Sequence, residues 1–295
     1  MARPPAIAAR GPRGLATARI SLVTLPAADC HAHVFCLGRY AFAADASYVP
    51  HPARPGTASA FAAVLDAHAI THGLLVAAEP YMTDLGCMLD AIEAYRGRFK
   101  GVALVAPDIS DRDLDALAAK PIVGIRYNLS SFGMRQFNHP ATARLFARLN
   151  ELGWFLQIHC ERDELVEAMP IIRRTRVRAL IDHVGRPDPR RGPTQPGFAA
   201  LLELGRSTEA VVKLSGPFRA SVAGYPYRDV EPFIAAAIDA FTLNRCVWGS
   251  DWPFVRHDAR MDYGRELACV ERWLPAEKDR RKVTWETPKA LFGFR

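Results

Sequence analysis

The 295-residue chain lacks the patterns that several large classes of protein require. No run approaches the roughly 20 apolar residues of a transmembrane helix, and no basic stripe is interleaved with aromatic residues, as in many nucleic-acid-binding proteins. The glycine-rich loops of dinucleotide-binding and Walker type are absent, and so are internal repeats of short period. We therefore expect neither a membrane segment nor a nucleic-acid partner.

Paired cysteine motifs are also absent. The six cysteines form no CxxC pair and do not show the spacing of small secreted domains. They are Cys30, Cys36, Cys87, Cys160, Cys246 and Cys269. Since several of them lie inside apolar segments, the sequence predicts reduced cysteines and a cytoplasmic protein.

The composition is that of a globular protein, with 49% hydrophobic and 23% charged residues. Residues 1–24 are rich in Ala, Arg and Pro and lack the apolar core of a signal peptide, so we expect a disordered leader followed by one domain over 25–295. The net charge of +7 is spread along the whole chain, which suits a small anionic substrate. The oligomeric state is open between a monomer and a homo-oligomer.

Eight short apolar segments alternate with amphipathic segments of helical period. The predicted strands are 27–35, 74–78, 101–105, 123–128, 154–159, 178–183, 210–214 and 246–249. The predicted helices are 57–71, 85–96, 111–119, 140–152, 162–172, 198–204, 230–241, 262–273 and 286–292. Continuous apolar strands indicate a parallel sheet that is buried on both faces, and eight strand–helix units predict an α/β protein with a distorted TIM-type (β/α)8 barrel. A doubly wound open sheet is the alternative.

Polar residues that can bind a metal or move a proton follow four of these strands. His31 and His33 are two residues apart, so in an extended strand their side chains share a face. The others are His159, His183 and Asp251. Because active sites of such barrels lie at the carboxyl ends of the strands, we expect these five side chains to meet there.

Three motifs give the chain a family resemblance. They are HAH at 31–33, IDHVGRPD at 181–188 and GSDWP at 249–253. With them the chain resembles the amidohydrolase superfamily, and within it the branch that contains 2-pyrone-4,6-dicarboxylate lactonase and sugar-lactone isomerases. The resemblance extends over 29–292 and implies a hydrolase that opens a small acidic lactone.

The resemblance also implies roles for single residues. Asp251 would be the general base that takes a proton from water, a contribution worth about 10² to 10⁴ in rate. His31, His33 and His183 would polarise the lactone carbonyl or hold the water. In the substrate pocket, Arg126, Arg135, Arg219 and Tyr48 would bind carboxylate groups of the substrate.

Two positions depart from the pattern of the lactonase. His159 stands where the lactonase has Tyr, and it restores the histidine that metal-dependent relatives use. The cofactor is therefore either absent or one divalent metal, zinc foremost, bound by His31, His33, His159, His183 and Asp251. Glu79 stands where a small hydroxyl residue is expected, and since its carboxylate would repel a substrate carboxylate, it disfavours 2-pyrone-4,6-dicarboxylate itself. Three explanations are open: the substrate lacks one acid group, Glu79 pairs with an arginine, or Glu79 joins the chemistry.

Three other functions are compatible with the same residues. A zinc-dependent non-oxidative decarboxylase would need its metal, and a lactone isomerase would use the same groups to shuttle protons. A non-catalytic binder of organic anions would keep the arginines, but it would have no need of Asp251.

Overall fold

The computed structural model describes residues 26–257, 259 and 261–295. The expected leader over 1–24 lies outside the described residues. Eight parallel strands form one sheet in which their order along the chain is also their order in space. They are β1 (Ala28–Ala32), β2 (His72–Val76), β3 (Phe99–Ala103), β4 (Ile122–Asn128), β5 (Phe155–His159), β6 (Arg178–Ile181), β7 (Val211–Ser215) and β8 (Cys246–Gly249).

Hydrogen bonds just beyond β8 join the two outer strands of this sheet. The amide of Asp251 donates to the carbonyl oxygen of His31 at 2.8 Å, and the amide of His33 donates to that of Trp252 at 2.8 Å. Helices lie between consecutive strands. The predicted (β/α)8 barrel is therefore confirmed, and the doubly wound alternative is wrong because no strand departs from sequential order.

Each predicted helix is present, with its ends moved by up to four residues. The helices are α1 (Ala58–Ala67), α2 (Gly86–Ala94), α3 (Asp111–Ala118), α4 (Leu129–Phe132), α5 (Thr142–Leu152), α6 (Leu165–Thr175), α7 (Pro196–Ser207), α8 (Pro217–Ala220), α9 (Glu231–Phe241), α10 (Tyr263–Trp273), α11 (Glu277–Arg281) and α12 (Thr287–Phe292). Three further helices were not predicted: α11 and the single turns α4 and α8. The periodicity did not reveal these two turns. They follow β4 and β7 directly and begin the loops on the side of the barrel where those strands end.

The apolar core has two parts. The larger part packs the helices against the outside of the sheet. The smaller part lies inside the barrel and contains Ala28, Leu74 and Val247, which pack against Trp285 and Phe292 near the carboxyl terminus of the chain. The C-terminal segment thus contributes large apolar side chains to the barrel interior near the start of β1, while the polar motifs lie where the strands end.

One expectation about cysteine is wrong. Cys36 and Cys87 form a disulfide, with their Cα atoms 5.7 Å apart. The loop after β1 brings Cys36 to the first turn of α2, a contact between residues 51 positions apart that spacing alone does not indicate. The other four cysteines are free and buried. Among the described residues, no helix has the length and apolar character needed to cross a membrane.

Candidate active site

Two imidazoles lie side by side at the end of β1. His31 and His33 are both buried, and their Nε2 atoms are 3.3 Å apart. Nδ1 of His33 donates to the carbonyl oxygen of Val76 at 2.9 Å, so in the neutral ring Nε2 carries the lone pair. Burial lowers the pKa of His33 to about 4 and holds the pKa of His31 well below its usual value. Both rings are therefore neutral at neutral pH.

The carboxylate of Asp251 lies close to these two rings and to a third imidazole. Its Oδ1 is 3.7 Å from Nε2 of His31 and of His33, and its Oδ2 is 3.8 Å from Nε2 of His183. Nε of Arg219 donates to Oδ2 of Asp251. Burial alone would raise the pKa of Asp251, but the Arg219 guanidinium holds it well below its usual value. Asp251 is therefore ionised and able to accept a proton.

His183 reaches this group by way of an unusual turn. The strand predicted over 178–183 ends at Ile181, and His183 and Val184 both have left-handed backbones, with φ of 51° and 53°. Nδ1 of His183 lies 2.9 Å from Oγ of Ser215. Gly216 has a φ of 56°, and a Cβ there would lie 2.7 Å from Nδ1 of His183. A side chain at Gly216 would therefore displace the imidazole.

A polar network lies beneath the imidazoles, inside the barrel. Nζ of Lys213 is 3.4 Å from Oδ1 of Asp182 and donates to Oε1 of Gln157 at 2.7 Å. Nε2 of Gln157 donates to Oδ2 of Asp182 at 3.0 Å, and Nε of Arg126 lies 3.4 Å from the same oxygen. Burial alone would raise the pKa of Asp182, but Lys213 and Arg126 lower it overall. The network therefore places the carboxylate of Asp182 behind His31 and balances it with the cations of Lys213 and Arg126.

Two nitrogen positions are possible for the proton of His31, because two partners face its Nδ1. Nζ of Lys213 lies 3.2 Å from Nδ1 and can donate to it, which leaves Nε2–H directed at the site. Oδ1 of Asp182 also lies 3.2 Å from Nδ1 but has no hydrogen-bond partner among the described residues; after a small reorientation it could accept from Nδ1, which would leave the lone pair on Nε2. Nε2 of His31 can thus be either a hydrogen-bond donor or a nitrogen with a free lone pair that could coordinate a metal ion.

A cavity of about 290 Å³ opens above Asp251. Eight of the ten predicted site residues line it: His33, Tyr48, Glu79, Arg126, His159, His183, Arg219 and Asp251. His31 lies behind His33 and is fully buried. Arg135 does not line this cavity, since it is exposed and its Nε donates to the carbonyl oxygen of Phe132 at 3.1 Å.

His159 stands apart from the other imidazoles. Its ring centroid is 5.7 Å from that of His183, and its Nε2 is 3.5 Å from Nη1 of Arg186 and 3.9 Å from Oε1 of Glu161. Burial lowers the pKa of His159, and within the described residues its Nδ1 has no hydrogen-bond partner. Among the described residues, two groups of side chains have ligand atoms close enough to share one metal ion, and neither group includes His159.

The central side chains fit one divalent cation. Ligand atoms of His31, His33 and Asp251 lie within 4.8 Å of one another, and the three side chains are buried. Asp182 lies behind His31, in the position of the carboxylate that commonly orients a metal-binding histidine. Two nitrogens and one oxygen are donors that zinc accepts. The cations of Lys213 and Arg219 lie close by and oppose a further positive charge.

Several residues of the site were missed by the sequence reasoning. Asp182 and Lys213 lie beneath the imidazoles, and Asn128, Glu161, Arg186 and Arg256 line the cavity. A lysine inside the apolar segment 210–214 was a detectable signal, because a buried charge needs a partner. Asp182 and Arg186 belong to the 181–188 motif itself. Arg256 and Glu161 lie in loops, whose paths the periodicity does not predict.

Comparison with known proteins gives consistent matches over nearly the whole chain. The family model described as amidohydrolase matches residues 28–294. A 4-sulfomuconolactone hydrolase of Hydrogenophaga intermedia is 29% identical over 273 residues, which cover 90% of this chain and 88% of the relative. A 2-pyrone-4,6-dicarboxylate hydrolase of Comamonas testosteroni is 29% identical over 277 residues, 90% of each chain.

A solved structure also matches the fold closely. It is that of a probable 2-pyrone-4,6-dicarboxylic acid hydrolase from Acinetobacter baumannii with citric acid bound. The TM-score is 0.84 at 28% identity, and the match covers 91% of this chain and 99% of the other.

Proposed function

The chain belongs to the amidohydrolase family, and on that basis we propose that it is a hydrolase that opens a small lactone bearing a carboxylate group. One observation carries the proposal: the ionised carboxylate of Asp251 lies within 4 Å of three buried imidazoles, beneath a cavity lined by arginines. Similarity to two lactone hydrolases over about nine tenths of the chain supports the same reaction.

Asp251 is the general base of the proposed reaction. It takes a proton from water, and the water oxygen attacks the carbonyl carbon of the lactone. The bond between that carbon and the ring oxygen then breaks, and the proton passes from Asp251 to the departing oxygen. The product is a hydroxy acid, so one water is consumed for each ring opened.

The imidazoles orient the water and the lactone. His31 lies behind His33 and helps to fix its orientation, since the Nε2 atoms of the two rings are 3.3 Å apart. Nε2 of His33 carries a lone pair and can accept from the attacking water. His183 is held by Ser215 and borders the cavity opposite His33 across Asp251.

Arginines supply the affinity for an acidic substrate. Arg126, Arg186, Arg219 and Arg256 line the cavity, and planar guanidinium groups suit carboxylates. Arg186 is paired with Glu161, and Arg219 with Asp251, so both pairs would rearrange or share their hydrogen bonds when a substrate carboxylate binds. The related structure from Acinetobacter baumannii has citric acid, a molecule with three carboxyl groups, bound.

A divalent metal is the alternative form of this site. His31, His33 and Asp251 would hold it, and it would supply Lewis-acid activation of the bound water. His159, the fifth predicted ligand, would then need to move toward the other four, because its ring lies beside Arg186. Elemental analysis of the purified protein, with activity measured before and after chelation, decides between the two forms.

The test of the proposed function is a panel of lactones. We expect hydrolysis of lactones with a carboxylate to exceed that of uncharged γ-butyrolactone in kcat/KM by about a hundredfold, the order of one charged hydrogen-bonded contact. Absence of ring opening throughout the panel would overturn the proposal. A rearranged lactone in the NMR spectrum of the products would indicate an isomerase. Metal-dependent release of CO₂ would indicate a decarboxylase. A ligand that is bound and recovered unchanged would indicate a non-catalytic binder.

The cytoplasmic location and the absence of a nucleic-acid partner stay predictions. The four free, buried cysteines agree with a reducing compartment, whereas the disulfide between Cys36 and Cys87 is of a kind that oxidising compartments favour. Alkylation of the protein in intact cells, followed by mass spectrometry of these two cysteines, tests the location.

A further inference from the structure

Glu79 is a buried carboxylate that faces the substrate cavity. It follows β2, begins a short 3₁₀ helix (Glu79–Tyr81) and is 9% exposed. Its Oε1 accepts a hydrogen bond from Oγ of Ser47 at 2.9 Å. Its Oε2 accepts from Nδ2 of Asn128 at 2.5 Å and from Oγ of Ser131 at 2.9 Å. The same hydroxyl lies 3.1 Å from Oε1, and it shares its one proton between the two carboxylate oxygens. The side chain is therefore held in one position by three neutral donors.

Arginine does not neutralise this carboxylate. Four arginines line the same cavity, yet within the described part of the chain no lysine or arginine nitrogen lies within the 4.0 Å of an ion pair with Glu79. Of the three explanations that the sequence left open, pairing with an arginine is thus not what the structure shows. Glu79 keeps its own hydrogen-bonding capacity toward the cavity.

That remaining capacity defines what can bind beside Glu79. A carboxylate has about four acceptor sites, and Ser47, Asn128 and Ser131 occupy three of them. A second substrate carboxylate there would meet a like charge in a buried site, which is unfavourable. An ammonium group would meet the positive potential of the four arginines. A neutral hydroxyl group satisfies the free acceptor site without either penalty.

We propose that Glu79 binds a hydroxyl group of the substrate. The substrate is then a hydroxylated lactone with a single carboxylate, of the kind that a sugar diacid forms, and not a lactone with two carboxylates. This inference rests on the proposed lactone hydrolysis and specifies its substrate. The carboxylate of the substrate binds the arginines, the lactone carbonyl faces Asp251, and the ring hydroxyl donates to Glu79. Glu79 thereby determines specificity and takes no part in the proton transfers.

The experiment compares three lactones and three variants. The lactones are a monolactone of a hydroxylated six-carbon diacid, the carboxymethyl butenolide muconolactone, which lacks ring hydroxyls, and 2-pyrone-4,6-dicarboxylate. Glu79→Gln keeps the shape of the side chain and removes its charge, whereas Glu79→Ser also opens space. Glu203→Gln, on the exposed surface of α7, controls for the loss of a carboxylate elsewhere.

We expect the wild-type protein to prefer the hydroxylated lactone over muconolactone by at least about tenfold in kcat/KM, the size of one hydrogen bond to a charged group. Glu79→Gln and Glu79→Ser should abolish this preference, and Glu79→Ser should raise kcat/KM for the dicarboxylate by about tenfold. Glu203→Gln should behave as wild type. An unchanged preference in both Glu79 variants, with melting temperatures near that of the wild type, would overturn the inference.

Binding measurements separate this inference from the proposed function. Calorimetry would measure the affinity of each variant for the ring-opened hydroxy diacid and for its deoxy analogue. The hydrolase function fails and the hydroxyl site stands under two conditions. The wild type opens no lactone but binds the hydroxylated acid more tightly than its deoxy analogue, and Glu79→Gln no longer shows this difference in affinity. If the affinities for the two acids do not differ in the wild type, the hydroxyl site fails. A variant that does not fold is replaced by Ser131→Ala, which loosens Glu79 and should reduce the same preference.

Discussion

Nζ of Lys213 lies 3.4 Å from Oδ1 of Asp182 in the interior of the barrel, and neither side chain is exposed to solvent. Lys213→Met should therefore leave a buried carboxylate with less compensation, and we expect the free energy of unfolding to fall by about 3 to 5 kcal/mol. Lys213→Met combined with Asp182→Asn should recover part of this loss. Urea unfolding of the two single variants and the double variant measures the coupling. Additive losses would show that the two charges do not stabilise each other.

The role of Asp251 can be separated from folding. Asp251→Asn keeps the size of the side chain and removes its ability to accept a proton, so kcat should fall by about 10² to 10⁴. We expect the KM for an acidic lactone to change by much less, because the arginines that bind the carboxylate are retained. Asp239→Asn, at an exposed position of α9, is the matched control. A kcat within tenfold of wild type for Asp251→Asn would show that another group acts as the base.

The pH dependence of activity should respond to Arg219. Its guanidinium is one of the groups that hold the pKa of Asp251 below its usual value, so Arg219→Met should raise that pKa. Because the base acts only when ionised, activity is lost as pH falls through this pKa, and the acidic limb of the kcat/KM profile should move to higher pH. Arg219→Lys keeps a positive charge and should shift the limb less. Superimposable profiles for wild type and Arg219→Met would contradict this effect.

Glu266 should make stability depend on pH. It is 1% exposed on α10, and burial raises its pKa to about 8 from an ordinary value of 4.5. A raised pKa in the folded state means that its stabilising contribution is present at pH 4.5 and below and is lost as pH rises through about 8. Glu266→Gln should therefore stabilise the protein at pH 8.5 relative to wild type and change it little at pH 5. Melting temperatures of the wild type and of Glu266→Gln at both pH values test this prediction. An equal difference between the two proteins at pH 5 and at pH 8.5 would refute it.

The positions of the strands could be predicted because each strand is a continuous apolar segment, and an amphipathic segment with the period of a helix follows it. β8 begins and ends at the predicted residues, and β5 differs from its prediction by one residue. The end of β6 was misplaced by two residues, since His183 continues an apolar segment in sequence but has a left-handed backbone in the structure. Local pattern does not report a turn that long-range contacts with Ser215 and Gly216 hold in place.

The sequence by itself determined the barrel and the strand ends that carry His31, His33, His159, His183 and Asp251, because hydrophobic period and motif spacing are local properties of the chain. Only the tertiary structure decided which side chains meet. It paired Cys36 with Cys87, put Lys213 beneath His31, left Arg135 outside the cavity and gave Glu79 neutral partners. These contacts join residues that are distant in sequence, and they depend on the closure of the barrel and on the paths of its loops.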